Sequence, residues 1–206
     1  MNNKVFSSFC LNALSVRSLY MWGTYGKKIT ENLISSKKKQ YPNRYSESRL
    51  SLLRKNIDGE TVGCDCTGLI KWALWTNGDL DAPIRYNAAT DRGTGGLYRE
   101  AKEKGIISTL PELPGTVVYK EGHVGVYIGD GNVIECTLGS RGDGIVKTKL
   151  HDTNWTHWLK VPEIDYIETT REPDILPADK PLHETLTDNQ KKISFLKKLK
   201  KIILKN

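Results

Sequence analysis

The stretch Gly63-Cys64-Asp65-Cys66-Thr67-Gly68-Leu69-Ile70-Lys71-Trp72-Ala73-Leu74-Trp75 constrains this chain more than any other. From Leu69 onward its apolar residues recur at helical spacing, so Leu69, Ile70, Ala73 and Leu74 form a wide stripe for burial. Asn77-Gly78 ends the run in a way common at helix C-termini. Asp65 suits the N-cap, which sets Cys66 in the first turn of a buried helix. Unpaired amides and the positive dipole end favour thiolate over thiol at that position. The same amides are placed to receive the negative oxygen of a tetrahedral intermediate. A small buried core cysteine is the alternative for any single Cys, so the downstream sequence decides.

With 206 residues the chain suits one well-buried domain with appendages. Five Trp, nine Tyr and a hydrophobic fraction of 38% exclude a disordered chain. The four cysteines form no disulfide framework: Cys64 and Cys66 are too close for an unstrained bridge, and Cys10 and Cys136 follow no spacing pattern. No Cys and His clusters have zinc-ligand spacing, so no metal is expected. The net charge of +7 is matched by the seven Lys of residues 191–206, leaving the remainder neutral. That distribution argues against a general nucleic-acid-binding surface. The N-terminus lacks the features of a secretion signal and no apolar run is long enough to span a bilayer. The chain is therefore expected to be soluble when made, and to act at its target after lysis or by a non-standard export route.

Read in order, Met1 to Tyr20 is a short amphipathic helix, followed by the aromatic, glycine-rich loop Tyr20–Gly26. Thr30 caps a helix to about Lys39, and Ser46 caps another that presents Leu50, Leu53 and Ile57 and closes at Gly59. After the Cys66 helix, residues 79–97 are turn-rich, and a short helix around 97–104 stops at Gly105. Strands are expected at Thr116–Tyr119, Val124–Ile128, Asn132–Cys136, Ile145–Lys149 and Trp158–Val161. Helices first and strands second indicate an α+β fold with an antiparallel sheet. Residues 1–167 form the domain and 168–190 a linker. Residues 191–206 form a Lys-rich amphipathic helix. That helix either lies on an anionic membrane or wall polymer, or docks its apolar face on the domain.

His123 begins the strand running to Ile128, and Gly129-Asp130-Gly131 is a turn signal. A two-residue loop would send Glu135 to the face opposite His123. A three-residue loop with Gly131 left-handed pairs Ile128 with Asn132 and sets Glu135 across from Gly125. His123 is then the diagonal neighbour of Glu135 on one face, about 7–8 Å away at the backbone and within side-chain reach. With this register Cys66, His123 and Glu135 compose a nucleophile, a base and an orienting carboxylate. Cys136 alternates to the opposite face, Cys64 points away from the site, and His157 is structural. His151 and His183 have no partner. Gly93-Thr94-Gly95-Gly96 follows no strand and lacks a Lys-Ser/Thr, which excludes a phosphate loop.

Taken together, Asp65–Trp72, Pro114-Gly115-Thr116-Val117-Val118 and Gly122–Gly131 resemble the NlpC family of papain-like cysteine peptidases, which cut bacterial cell-wall peptides. The resemblance covers roughly residues 14 to 167. It implies Cys66 as nucleophile and His123 as base, with no cofactor. It sets Glu135 at the third polar position, where many members carry His, Asn or Gln; Glu there still accepts the imidazole N–H. It also implies Tyr20, in Tyr20-Met21-Trp22-Gly23, as the residue that helps bind substrate and oxyanion, with a core aromatic as the alternative. Two helical segments intervene between Tyr20 and Cys66, where typical members have only a dozen or so residues. The expected reaction is hydrolysis of a stem-peptide amide, usually the bond joining D-glutamate through its side chain to a diamino acid. An amidase or acyltransferase with the same triad, or a non-catalytic binding protein acting through the cationic tail, are the rival readings.

Overall fold

The computed structural model describes residues 1–168, which form one compact unit. The expected linker and Lys-rich helix lie outside the described residues apart from Glu168. The elements run α1 (Asn3–Ala13), β1 (Ser18–Tyr20), β2 (Tyr25–Lys28), α2 (Glu31–Gln40), α3 (Glu47–Lys55), β3 (Val62–Cys64) and α4 (Cys66–Trp75). After these come α5 (Thr94–Glu100), β4 (Lys104–Ile106), β5 (Val117–Lys120), β6 (His123–Tyr127), β7 (Asn132–Gly139), β8 (Gly142–Lys149) and β9 (His157–Leu159). The fold is α+β: helices pack on an antiparallel six-stranded sheet in the order β4-β9-β5-β6-β7-β8.

α4 is the centre of the molecule. Every residue from Cys66 to Ala73 is buried, together with Trp75, while Leu74 is half-buried. The helix is thus enclosed on nearly all sides instead of presenting one stripe. Its inner partners are Phe6, Phe9 and Cys10 of α1 and Val117, Val124, Val126, Ile134 and Leu159 of the sheet, all 1% exposed or less. Phe9 meets the Trp72 indole edge-on with ring centroids 5.4 Å apart, a geometry that aromatic quadrupoles favour. Lys71 is buried, and its ammonium is satisfied by Asp91 at 2.9 Å, as a buried charge requires.

A second sheet differs from the expectation of helices alone ahead of α4. Its order is β1-β3-β2, with β1 parallel and β2 antiparallel to β3, and Tyr20 standing opposite Cys64. The intervening helices have their own core of Met21, Ile29, Ile34, Tyr45, Leu50 and Leu53. Thr30 and Ser46 cap α2 and α3 through the backbone N–H groups of Leu33 and Arg49, at the positions their sequence indicates. Two further boundaries move. The Gly93–Gly96 run starts α5 instead of forming a turn, and Lys104-Gly105-Ile106 is a strand because it pairs with β9.

The small sheet and α4 touch where a side chain would not fit. A Cβ on Gly68 would lie 1.9 Å from the Thr24 carbonyl oxygen. Because that obstacle is backbone, Gly68→Ala is expected to destabilise the fold by about 2 kcal/mol or more, in the upper part of the overpacking range. Urea unfolding of the variant against wild type measures it, and an unchanged midpoint would contradict this account of the helix–loop contact.

Candidate active site

The start of α4 is built by Asp65. One carboxylate oxygen accepts the Gly68 N–H at 2.6 Å and the Thr67 hydroxyl at 3.1 Å, and the other accepts the Gly23 N–H at 2.7 Å. A single side chain therefore caps the helix and ties the aromatic, glycine-rich loop to it. Gly23 has φ +74, a backbone region in which glycine meets no steric penalty.

Cys66 follows this cap and is 5% exposed. Its thiol does not rest as a thiolate. Burial, followed by the neighbouring Asp65 carboxylate, pushes its pKa up to about 12, and the Val124 and Thr67 backbone N–H groups offset only part of that rise. The helix-start effect read from the sequence is present but outweighed by desolvation. Alkylation of Cys66 by iodoacetamide is accordingly expected to accelerate about tenfold per pH unit from pH 6 to 9, without a plateau. A plateau near neutrality would show instead a thiolate already formed.

The hairpin β6–β7 sets the other two groups. Val126 pairs with Ile134 and Tyr127 with Val133, and the Ile128 N–H donates to Asn132 O. This is the register of a three-residue loop, with Asp130 at φ +51 and Gly131 at φ +66. His123 Nε2 and a Glu135 carboxylate oxygen meet at 2.5 Å. The Glu135 side chain is fully buried and that of His123 is 13% exposed. The His123 ring also stacks on Trp155, with centroids 5.4 Å apart and planes 11° apart. Two contacts thus fix the imidazole and leave Nδ1 free to act as a base.

Glu135 keeps its charge despite complete burial. Desolvation opposes ionisation, but hydrogen bonds from His123, Thr148 and Arg141 win and hold its pKa at about 2. The Thr148 hydroxyl donates at 2.8 Å and the Arg141 guanidinium at 3.2 and 3.3 Å, while Arg141 also reaches the Thr137 hydroxyl.

Tyr20 ends β1. Its ring is half-buried, and burial followed by the nearby Cys66 and Asp65 raises its pKa, so the hydroxyl remains a hydrogen-bond donor at neutral pH. Its backbone is held from both sides. Its N–H donates to Asp143 at 2.9 Å and its carbonyl accepts from Arg49, which pairs with Asp143.

Tyr20 and His123 open onto one cleft, while Cys66 and Glu135 are not among the residues that line it. Tyr20, Trp22, Arg44, Tyr45, His123 and Arg141 are among the residues lining a cavity of about 530 Å³. The Cys66 sulfur lies against the Val124 amide, one residue beyond His123. Cys66 and His123 make no hydrogen bond to each other among the described contacts. Cys136 donates to Cys64 O at 3.2 Å within the core, on the other face from Glu135. His157 sits in β9 edge-on to Tyr98, His151 is exposed, and His183 lies outside the described residues. Four residues of the network, Arg49, Arg141, Asp143 and Thr148, escaped the sequence reading. For Thr148 and Arg141 a signal existed: Gly139 and Gly142 flank a two-residue turn that sets Thr148 opposite Val133.

A cysteine at the start of a buried helix, set against an antiparallel sheet that carries an imidazole–carboxylate pair, is the arrangement of a papain-like cysteine peptidase. The NlpC/P60 family pattern matches residues 20–162, and the chain belongs to that family. It is accordingly a cysteine peptidase of the cell-wall hydrolase class. Similar solved structures include the peptidoglycan hydrolase RipB from Mycobacterium tuberculosis, with 18% identity over 80% of this chain and 68% of that one, and a TM-score of 0.44. The P60 domain of an antigen from M. avium subspecies paratuberculosis shares 17% identity over 80% and 98% of the two chains, with a TM-score of 0.45. The NlpC/p60 domain of the peptidoglycan hydrolase SagA shares 13% over 78% and 100%, with a TM-score of 0.41. No curated protein matches the chain.

Proposed function

We propose that the protein cleaves an amide of the cell-wall stem peptide with a Cys66–His123–Glu135 triad, at the bond joining the glutamate side-chain carboxyl to a diamino acid. The observation that carries this reading is the 2.5 Å contact between His123 Nε2 and the buried, ionised Glu135. That contact sets Nε2 as the N–H nitrogen and leaves Nδ1 to take a proton. Because Cys66 rests as a thiol, base and nucleophile act together: Nδ1 removes the thiol proton as Sγ attacks the carbonyl carbon. The α4 amides and the Tyr20 hydroxyl stabilise the oxyanion. When the C–N bond breaks, the imidazolium returns the proton to the departing amine and a thioester remains. Water, deprotonated by His123, then releases the acid and restores the thiol. The sequence does not require a Cys66–His123 hydrogen bond beforehand, since catalytic hydrogen bonds often form only with substrate bound.

Digestion of purified cell walls, with Cys66→Ala as the blank and mass spectrometry of the products, tests the reading. Fragments that appear with wild type alone and end in a free glutamate side-chain carboxyl support the bond named here. Fragments from a different bond would overturn that assignment, and equal release by both proteins would overturn the triad.

A further inference from the structure

Residues 27–55, the segment inserted between the aromatic loop and β3, contain nine Lys and Arg against two Glu. Most of this charge is exposed, but Arg44 lines the cavity that Tyr20 and His123 also line. Its guanidinium carbon sits 4.0 Å above the Trp22 ring centroid. Trp22 is itself held, because the Tyr45 hydroxyl donates to its carbonyl at 2.6 Å. Stacking engages the face of the guanidinium and leaves its in-plane N–H donors available, in the fork that matches a carboxylate. Arg44 forms no ion pair and its side chain no hydrogen bond among the described residues, whereas Arg49 is paired with Asp143 and Arg54 with Glu31. Lys120, at the end of β5, lines the same cavity and is likewise without a carboxylate partner among the described residues. Glu121 is the one acid lining that cavity, so its free charge is cationic.

We propose that Arg44 and Lys120 form a subsite for a carboxylate of the substrate peptide, so that the inserted helices supply specificity to a cleft whose chemistry lies elsewhere. Arg44 takes the carboxylate through paired N–H donors, and Lys120 adds a second positive charge beside it. This inference rests on the assignment of the cleft as the peptide-cleaving site. That assignment supplies the ligand: a glutamate joined through its side chain keeps its α-carboxylate free.

The test compares two peptides in which glutamate is linked through its side chain to a diamino acid, one with the free α-carboxylate and one with the α-carboxamide. Binding to Cys66→Ala protein is measured by calorimetry, with and without Arg44→Gln. Arg44 is on the surface, so the fold is not at risk. The carboxylate peptide is expected to bind roughly tenfold or more tightly than the amide, as a charge-assisted contact provides. That preference is expected to fall to about threefold or less in Arg44→Gln and to be partly restored in Arg44→Lys. Equal binding of the two peptides, a preference that survives Arg44→Gln, or no binding of either would overturn the subsite. Wild-type hydrolysis is measured in parallel. A carboxylate preference without cleavage would remove the proposed reaction and leave the subsite standing.

Discussion

Cys66→Ala is expected to lower the rate of wall-peptide cleavage by about four orders of magnitude or more, the loss typical when the nucleophile of a triad is removed. Binding of the peptide should change little, because the cavity walls are formed by other residues. The pair of outcomes separates chemistry from fold. Cys66 is a small side chain among Val124, Thr67 and Asp65 at the helix start, and Ala removes one buried sulfur from that contact. A modest loss of stability, about 1–2 kcal/mol on the scale of small buried truncations, is the accompanying expectation. Single-turnover assays with defined peptides, run beside calorimetric binding, provide both numbers. A variant that retains a tenth of the wild-type rate would assign the nucleophile elsewhere.

Glu135→Gln is expected to cost both activity and stability, and to do so in a pH-dependent way. Gln retains an oxygen that can accept the His123 N–H, but its NH₂ group meets donors from Thr148 and Arg141. The positive charge on Arg141 then loses its partner, a situation that costs about 3 kcal/mol for buried pairs. Activity should fall roughly a hundredfold or more, because the imidazolium formed during attack is no longer neutralised. The sign of the pH effect follows from the depressed pKa. Glu135 ionises at about 2 in the folded protein, below its usual value of 4.5. It therefore stabilises the native state fully above about pH 4.5, and this contribution is lost as pH falls toward 2. The shift corresponds to on the order of 3 kcal/mol. The difference in unfolding free energy between wild type and Glu135→Gln should thus be largest near neutrality and shrink below pH 4. Urea titrations at pH 7 and pH 3 measure it, and a difference that does not change with pH would refute the buried-carboxylate account.

Much of this arrangement is local, and so was legible in the sequence. Asp65 as cap, Cys66 as first helical residue and the three-residue turn before Asn132 each follow from a few adjacent residues. The turn alone decides that His123 and Glu135 share a face, since one residue more or less would reverse every side chain of β7. What escaped was non-local. β1, β2 and β3 are three or four residues long and show no alternation, and their pairing joins Ser18 to Val62 across more than forty residues. Arg49 meets Asp143 ninety-four positions away, which no spacing rule reaches. The charge of the thiol was misjudged for a related reason. A helix start is visible in sequence, whereas the depth of burial that outweighs it depends on what the rest of the chain brings there.

The separate core of the inserted helices has a consequence for how this enzyme can be altered. Its buried members are Ile29, Ile34, Tyr45, Leu50 and Leu53 with Met21 of the aromatic loop, and Leu19 and Trp22 pack against them from outside the insert. The seam with the rest of the domain is close-packed there, since a Cβ on Gly63 would strike the Met21 sulfur at 2.8 Å. Changes on the outer side of that seam are expected to reshape one wall of the cleft and to leave α4 where it is. Changes at the seam itself move both. The insert is therefore the natural place to graft a new substrate preference, and such a graft must leave alone Met21, Gly63 and Arg49, the last because it pairs with Asp143 and holds the Tyr20 carbonyl.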